Sequence, residues 1–111
     1  MNHLMEESFL DTMARFFRAL SDPIRLKILK VIMEHGEESI CQCDIIPATG
    51  RSQSTVAQHL KNLVESGILI AERRGRSIYY RISDPRVLKI LDLAAEILVS
   101  RISRSIKALR F

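Results

Sequence analysis

At residue 68 the spacing of apolar side chains changes, and no other feature of this 111-residue chain narrows its fold as much. Up to Gly67, apolar residues return every three or four positions, the period of a helix buried along one face. From Ile68 the period is two: Ile68 and Ile70, then Ile78, Tyr80 and Ile82, are expected to point inward on two strands joined by the turn Arg74-Gly75-Arg76. After Ser83-Asp84-Pro85 the helical period resumes. A run of helices, one hairpin and a closing helix is the signature of a mainly α protein with a small β-hairpin, and the length suits one core.

The helical part is punctuated by its own stop signals. Leu10, Met13, Phe17 and Leu20 mark an amphipathic first helix. Ser21-Asp22-Pro23 ends it and starts a second, with Asp22 as cap and Pro23 in the first turn, where a missing N–H costs nothing. Ile24, Ile28, Leu29 and Ile32 carry the second helix to Glu34 or His35, and Gly36 closes it. Residues 40–48 read as a short helix holding Cys41 and Cys43, with Pro47 near its end and Gly50 in the following turn. Ser52 opens a longer helix whose apolar face is Val56, Leu60, Leu63 and Val64, and Gly67 stops it. A short helix, a glycine-bearing turn and a second helix form a helix-turn-helix over about residues 40–67, with the hairpin at about 68–82.

The last helix has more apolar surface than one domain needs. Val87, Leu91, Ala94, Leu98, Ile102, Ile106 and Leu109 form one stripe, and Ile90, Leu93 and Ile97 widen it. Together with the apolar first helix this predicts a homodimer, closed by helices at about 7–20 and 85–109. No apolar run reaches the roughly 20 residues a membrane span needs, and the acidic N-terminus is no secretion signal. The expected compartment is the reducing cytoplasm, where two cysteines this close point to metal or redox chemistry before a structural staple. No Ser/His/Asp set or phosphate loop accompanies them, so catalysis is not expected.

Charge indicates an anionic partner. The net charge is +4, and residues 68–82 hold Arg73, Arg74, Arg76 and Arg81 against Glu72 alone. On the longer helix, Arg51, Ser54, Thr55, Gln58, Lys61 and Asn62 share the face opposite the apolar one. The major groove of double-stranded DNA admits one helix, and its base edges are read by short donor–acceptor side chains and amide forks. Gln53, Ser54, Thr55 and Gln58 fit that task, while Lys61 and the hairpin arginines suit phosphates. A protein partner is not implied, because the hairpin tip is arginine and glycine where protein interfaces favour aromatic anchors.

The segments RALSDPIRLKIL, ICQCDI, SQSTVAQHLKNLVESGIL and ERRGRSIYYRI resemble, in order and spacing, the successive motifs of the ArsR/SmtB family of metal-responsive winged-helix repressors. The resemblance runs over about residues 9–83. It implies a dimeric repressor that leaves its operator when an inducing ion binds. By the match, Gln53, Ser54, Thr55, Gln58 and His59 lie in the recognition helix and Arg74 to Arg76 form the wing tip. Cys41 and Cys43 match the cysteine pair with which arsenic- and cadmium-sensing members hold the inducer.

Thiolates select soft acceptors, which favours As(III), with Sb(III), Cd(II) and Cu(I) as alternatives. Some arsenic sensors carry a third cysteine where this chain has Ile46, so a third donor would come from outside the pair. The zinc site that other members build on the last helix is missing, since residues 85–111 contain no histidine. The alternatives are thiol oxidation as the trigger, or no metal effector and an inert pair packed as small hydrophobes. On a regular helix, residues i and i+2 point about 200° apart, so ion binding by both sulfurs is expected to unwind the turn that carries them.

Overall fold

The computed structural model describes residues 3–102. In chain order the elements are α1 (His3–Leu20), α2 (Pro23–His35), β1 (Ile40–Cys41), α3 (Gln42–Thr49), α4 (Gln53–Glu65), β2 (Leu69–Arg74), β3 (Ser77–Ile82) and α5 (Arg86–Ile102). The helices begin and end where the chain supplies caps. Asp22 Oδ1 accepts from the N–H groups of Ile24 (2.8 Å) and Arg25 (3.1 Å), with Pro23 next to it at the start of α2. Ser52 Oγ accepts from the N–H of Thr55 at 3.2 Å and starts α4. Asp84 Oδ1 accepts from the N–H of Arg86 at 2.9 Å and starts α5.

The exit from α4 aims the hairpin. Gly67 takes a φ of 79°, its N–H reaches the carbonyl of Val64, and the N–H of Ile68 reaches back to Leu63, both at 3.0 Å. This paired closure of a helix end needs a left-handed residue, which glycine adopts without a Cβ penalty. Leu63 and Ile68 are both fully buried, so an apolar contact seals the same corner. At the far end of the hairpin, Arg74 pairs with Ser77 around Gly75-Arg76. Only Gly75 of those two has a positive φ, 63°, which is the type II′ arrangement whose twist matches the strands.

The core gathers Ile28, Leu29 and Ile32 of α2, Ile45 of α3, and Val56, Leu60 and Leu63 of α4, with Leu69, Tyr80, Val87 and Leu91 around them. No polar or charged residue is buried among the described residues. α1 joins through Ala19 and Leu20, with Phe16 half-buried against the core, while Phe9, Leu10, Met13 and Phe17 stay exposed, as do Leu93, Ile97, Leu98 and Ile102 on α5. Ile106 and Leu109 of the expected stripe lie outside the described residues. Among the described residues no helix is long and apolar enough to cross a membrane.

Two expectations are corrected. The sheet has three strands in the order β1-β3-β2, because Ile40 and Cys41 pair antiparallel with Tyr80 and Tyr79. Cys41 therefore precedes α3 and is not inside a helix spanning 40–48. Ile70 is also on the outer side: β2 begins at Leu69, so Ile68 is buried as the last residue of the α4 closure and Leu69 is the inward strand position.

Candidate nucleic-acid interface and thiol site

Burial of Val56, Leu60 and Leu63 locks α4 in one rotation, and that rotation decides what it presents outward. Gln53, Ser54, Gln58, Lys61 and Asn62 are exposed together on its outer face. Thr55 is half-buried, and its hydroxyl receives a hydrogen bond from Ser52 Oγ at 2.9 Å, so it helps to cap α4. Lys61 reaches Glu65 one turn on, at 4.0 Å.

His59 is turned the other way. Its side chain is 18% exposed, its Nδ1 lies 3.1 Å from Arg25 Nη1, and its Nε2 is 3.9 Å from Asp22 Oδ1. Because a guanidinium only donates, Nδ1 is the acceptor in this contact. Arg25 is itself held by the carbonyls of Ala19 (Nε, 2.7 Å) and Arg18 (Nη2, 3.3 Å). His59, which the resemblance places in the recognition helix, braces α4 against the α1–α2 joint through these contacts. Sequence reasoning misses Arg25, because the partners stand 34 positions apart and no local pattern marks the pair.

The hairpin carries Arg73, Arg74, Arg76 and Arg81, all exposed. Arg74 is fixed in place: its Nη2 donates to Glu72 Oε2 at 3.2 Å, and its guanidinium lies 4.5 Å from the centre of the Tyr79 ring. That hydrogen bond holds the Glu72 carboxyl below its ordinary value and raises Arg74. Arg73 and Arg76 have no ion pair among the described residues.

The thiol site lies at the junction of β1 and α3, where Cys41 pairs with Tyr79 of β3. Cys41 is buried at the end of β1 with an extended backbone (φ −65°, ψ 139°) and caps α3, its Sγ accepting from the N–H of Cys43 at 3.2 Å. Cys43 is exposed in the first turn of α3, and the two sulfurs are joined as a disulfide. The expected unwinding of a helical turn is corrected here: with Cys41 ahead of the helix, both sulfurs meet while α3 keeps its hydrogen bonds. Next to Cys41, Gln42 Oε1 accepts from the Tyr80 hydroxyl at 2.9 Å. Two sulfurs suit a soft, thiophilic ion, and among the described residues no group of three histidine, cysteine or acidic side chains offers a fuller ligand set.

A helix-turn-helix on a rigid core with an arginine-tipped hairpin beside it defines a winged helix-turn-helix DNA-binding protein. The model of the family described as "Bacterial regulatory protein, arsR family" matches residues 22–71. The chain is 45% identical over 84 residues to a probable mercury resistance operon repressor of Streptomyces lividans (76% of this chain, 65% of the relative). It is 40% identical over 84 residues to an uncharacterised HTH-type transcriptional regulator of Methanocaldococcus jannaschii (76% and 92%). It is 38% identical over 69 residues to the arsenical resistance operon repressor of Escherichia coli (62% and 57%). A homodimeric winged helix-turn-helix domain of Mycobacterium bovis, a possible ArsR-family transcriptional regulator, superposes with a TM-score of 0.77 at 28% identity over 88% of each chain. The chain belongs to the ArsR family of transcriptional regulators. It spans 65% and 57% of the lengths of the Streptomyces and Escherichia repressors.

Proposed function

We propose that this protein is a dimeric repressor released from its operator when a soft metal or metalloid ion, As(III) first, bridges Cys41 and Cys43. The observation that carries this reading is the meeting of the two sulfurs at the junction of β1 and α3, on the strand that pairs with β3 of the wing. Relatives named for arsenic and mercury resistance support the class of ion. With two sulfurs from its cysteines, the chain leaves As(III) to take its third from a cellular thiol, whereas Hg(II) is satisfied by two. Gln53, Ser54, Thr55 and Gln58 read bases, and Lys61, Arg73, Arg74 and Arg76 hold phosphates. The open apolar faces of α1 and α5 join two copies; the similar Mycobacterium domain is homodimeric.

The disulfide favours a second reading, in which an oxidant such as peroxide takes two electrons and two protons from the thiols and is itself reduced to water. One experiment separates the two. Reduced protein on its operator duplex is titrated with arsenite, Hg(II), Cd(II) and peroxide, for the native chain and for Cys41→Ser. Release by an ion, abolished in the variant, supports the ion reading; release by peroxide alone replaces it with the redox one.

A further inference from the structure

Two cations near the start of α4 belong neither to the wing nor to the outer face of that helix. Lys27 of α2 and Arg51 of the turn between α3 and α4 are both exposed, and both line an open cleft of about 300 Å³ with Pro23, Ile24 and Thr49. No acidic side chain lines this cleft, and neither cation makes an ion pair among the described residues. Asp22, the acid nearest to Lys27 in sequence, is engaged elsewhere, since it caps α2 and faces His59. Two like charges beside one cleft repel each other, and an anion between them reverses the sign of that interaction. The backbone around the cleft is held in place. Burial of Ile28, Leu29 and Ile32 fixes the rotation of α2 that leaves Lys27 outside. Gly50 turns the chain with a φ of 70°, and the Thr49 hydroxyl donates to the Ile46 carbonyl at 2.8 Å while accepting from the Arg51 N–H at 3.3 Å.

We propose that Lys27 and Arg51 form a second phosphate clamp, which holds one backbone phosphate of double-stranded DNA beside the major groove that α4 enters. This rests on the reading of α4 as the helix that enters that groove. The N-terminal end of a recognition helix is the end that meets base edges. Phosphates border the groove on both sides, so a cationic cleft with Arg51 two residues ahead of Gln53 lies over one of them when Gln53 and Ser54 reach bases. Arg51 brings a planar fork that matches two phosphate oxygens, and Lys27 a point charge on a flexible stem. Ser52 takes up the N–H groups of Thr55 and Val56, and those of Gln53 and Ser54, without a partner among the described residues, add donors at the same end of α4. None of the lining residues belongs to β2 or β3, so the clamp acts apart from the wing. It sets where α4 sits in the groove and carries no base preference of its own.

The probe is a DNA duplex that the native protein selects from a random-sequence pool. Its affinity is measured against salt for the native chain, Lys27→Met, Arg51→Met, Arg74→Ala and, as a control on α5, Lys89→Met. The series is repeated on duplexes in which one phosphate at a time is replaced by a neutral methylphosphonate. Lys27→Met and Arg51→Met should each lower the slope of log affinity on log salt by about 1 per half-site and keep the native base preference, while Lys89→Met keeps the native slope. In the native chain and in Arg74→Ala, neutralising one particular phosphate of each half-site should weaken binding. In Lys27→Met and Arg51→Met the same replacement should no longer matter. Both side chains lie outside the core, and either variant carries the test if the other misfolds. Native slopes in Lys27→Met and Arg51→Met overturn the clamp while the groove reading stands. So does an equal fall in Lys89→Met, or a fall in which every phosphate stays as sensitive as in the native chain. A native chain that selects no sequence removes the groove reading, and the clamp with it.

Discussion

Arg25 of α2 donates to Nδ1 of His59 on α4 across 3.1 Å, and the same guanidinium also grips the carbonyls of Ala19 and Arg18. One side chain therefore ties the recognition helix to the end of α1, the helix that presents the open apolar face. Arg25→Met keeps the apolar stem but removes every donor. Hydrogen bonds from a charged group are worth about 1.5–3 kcal/mol each when one partner is left behind, so denaturant unfolding should show a loss of at least that size. His59→Ala should lower stability less and leave the salt dependence of DNA binding unchanged. A reduced salt slope in His59→Ala would place this residue on the DNA.

Acid should loosen α2 and α5 at their first turns. Burial raises the Asp22 carboxyl, but the N–H groups of Arg25 and Ile24, with His59 and Arg25 close by, outweigh it and bring it below the ordinary carboxylate value. The hydrogen bond from the Arg86 side chain, then that from its backbone, take Asp84 down to about 2. A carboxyl with a depressed folded value stabilises the fold above its unfolded value, near 4, and that contribution is lost as pH falls through the folded value. Stability should thus decline between about pH 4 and pH 2, and Asp84→Asn should flatten that part of the curve. Asp22→Ala, which removes a helix cap, should cost about 1 kcal/mol at neutral pH, read from urea unfolding monitored by circular dichroism.

Where the chain writes both a period and a stop, the fold is legible. Asp22-Pro23, Gly36, Ser52 and Gly67 bound α2 and α4, and each does so through local hydrogen bonds that a neighbour in sequence supplies. β1 has no such mark. Two residues show no period, and Ile40-Cys41 is a strand only because β3 offers it an edge. That pairing pulls Cys41 out of the helix, which is why helical geometry puts the sulfurs on opposite sides and the structure puts them together. His59 escapes sequence reasoning on related grounds. Helical spacing sets it at the border of the outer face, and only the long-range partner Arg25 decides which way it turns.

The two DNA-facing elements should fail in different ways. Arg74 and Arg76 at the wing tip are expected on phosphates, so replacing both with alanine should weaken binding to all sequences alike and reduce the salt slope by about 2. Gln58, exposed on the outer face of α4, is expected at a base edge. Gln58→Ala should leave the slope intact and relax discrimination at one base pair by about 1–3 kcal/mol. Competition binding against single-substitution operator duplexes at several salt concentrations separates the two outcomes. Equal loss of base discrimination in both variants would mean that the wing also reads sequence.

Leu98 on α5 and Phe17 on α1 are 56% and 46% exposed in the single chain, within apolar faces that one domain leaves uncovered. Contiguous apolar surface of this kind on both terminal helices is what a self-complementary interface requires, and it is where two copies are expected to meet. Neither side chain belongs to the core built by Ile28, Leu29, Leu60 and Leu63, so a charge placed there leaves the folded monomer intact and burdens only the assembly. Leu98→Glu and Phe17→Glu should each shift the protein from dimer to monomer in sedimentation velocity at micromolar concentration, with helical content unchanged. Operator affinity should fall with the dimer, because a monomer holds one half-site and forgoes the second. A Leu98→Glu chain that still sediments as a dimer would move the interface off this face of α5.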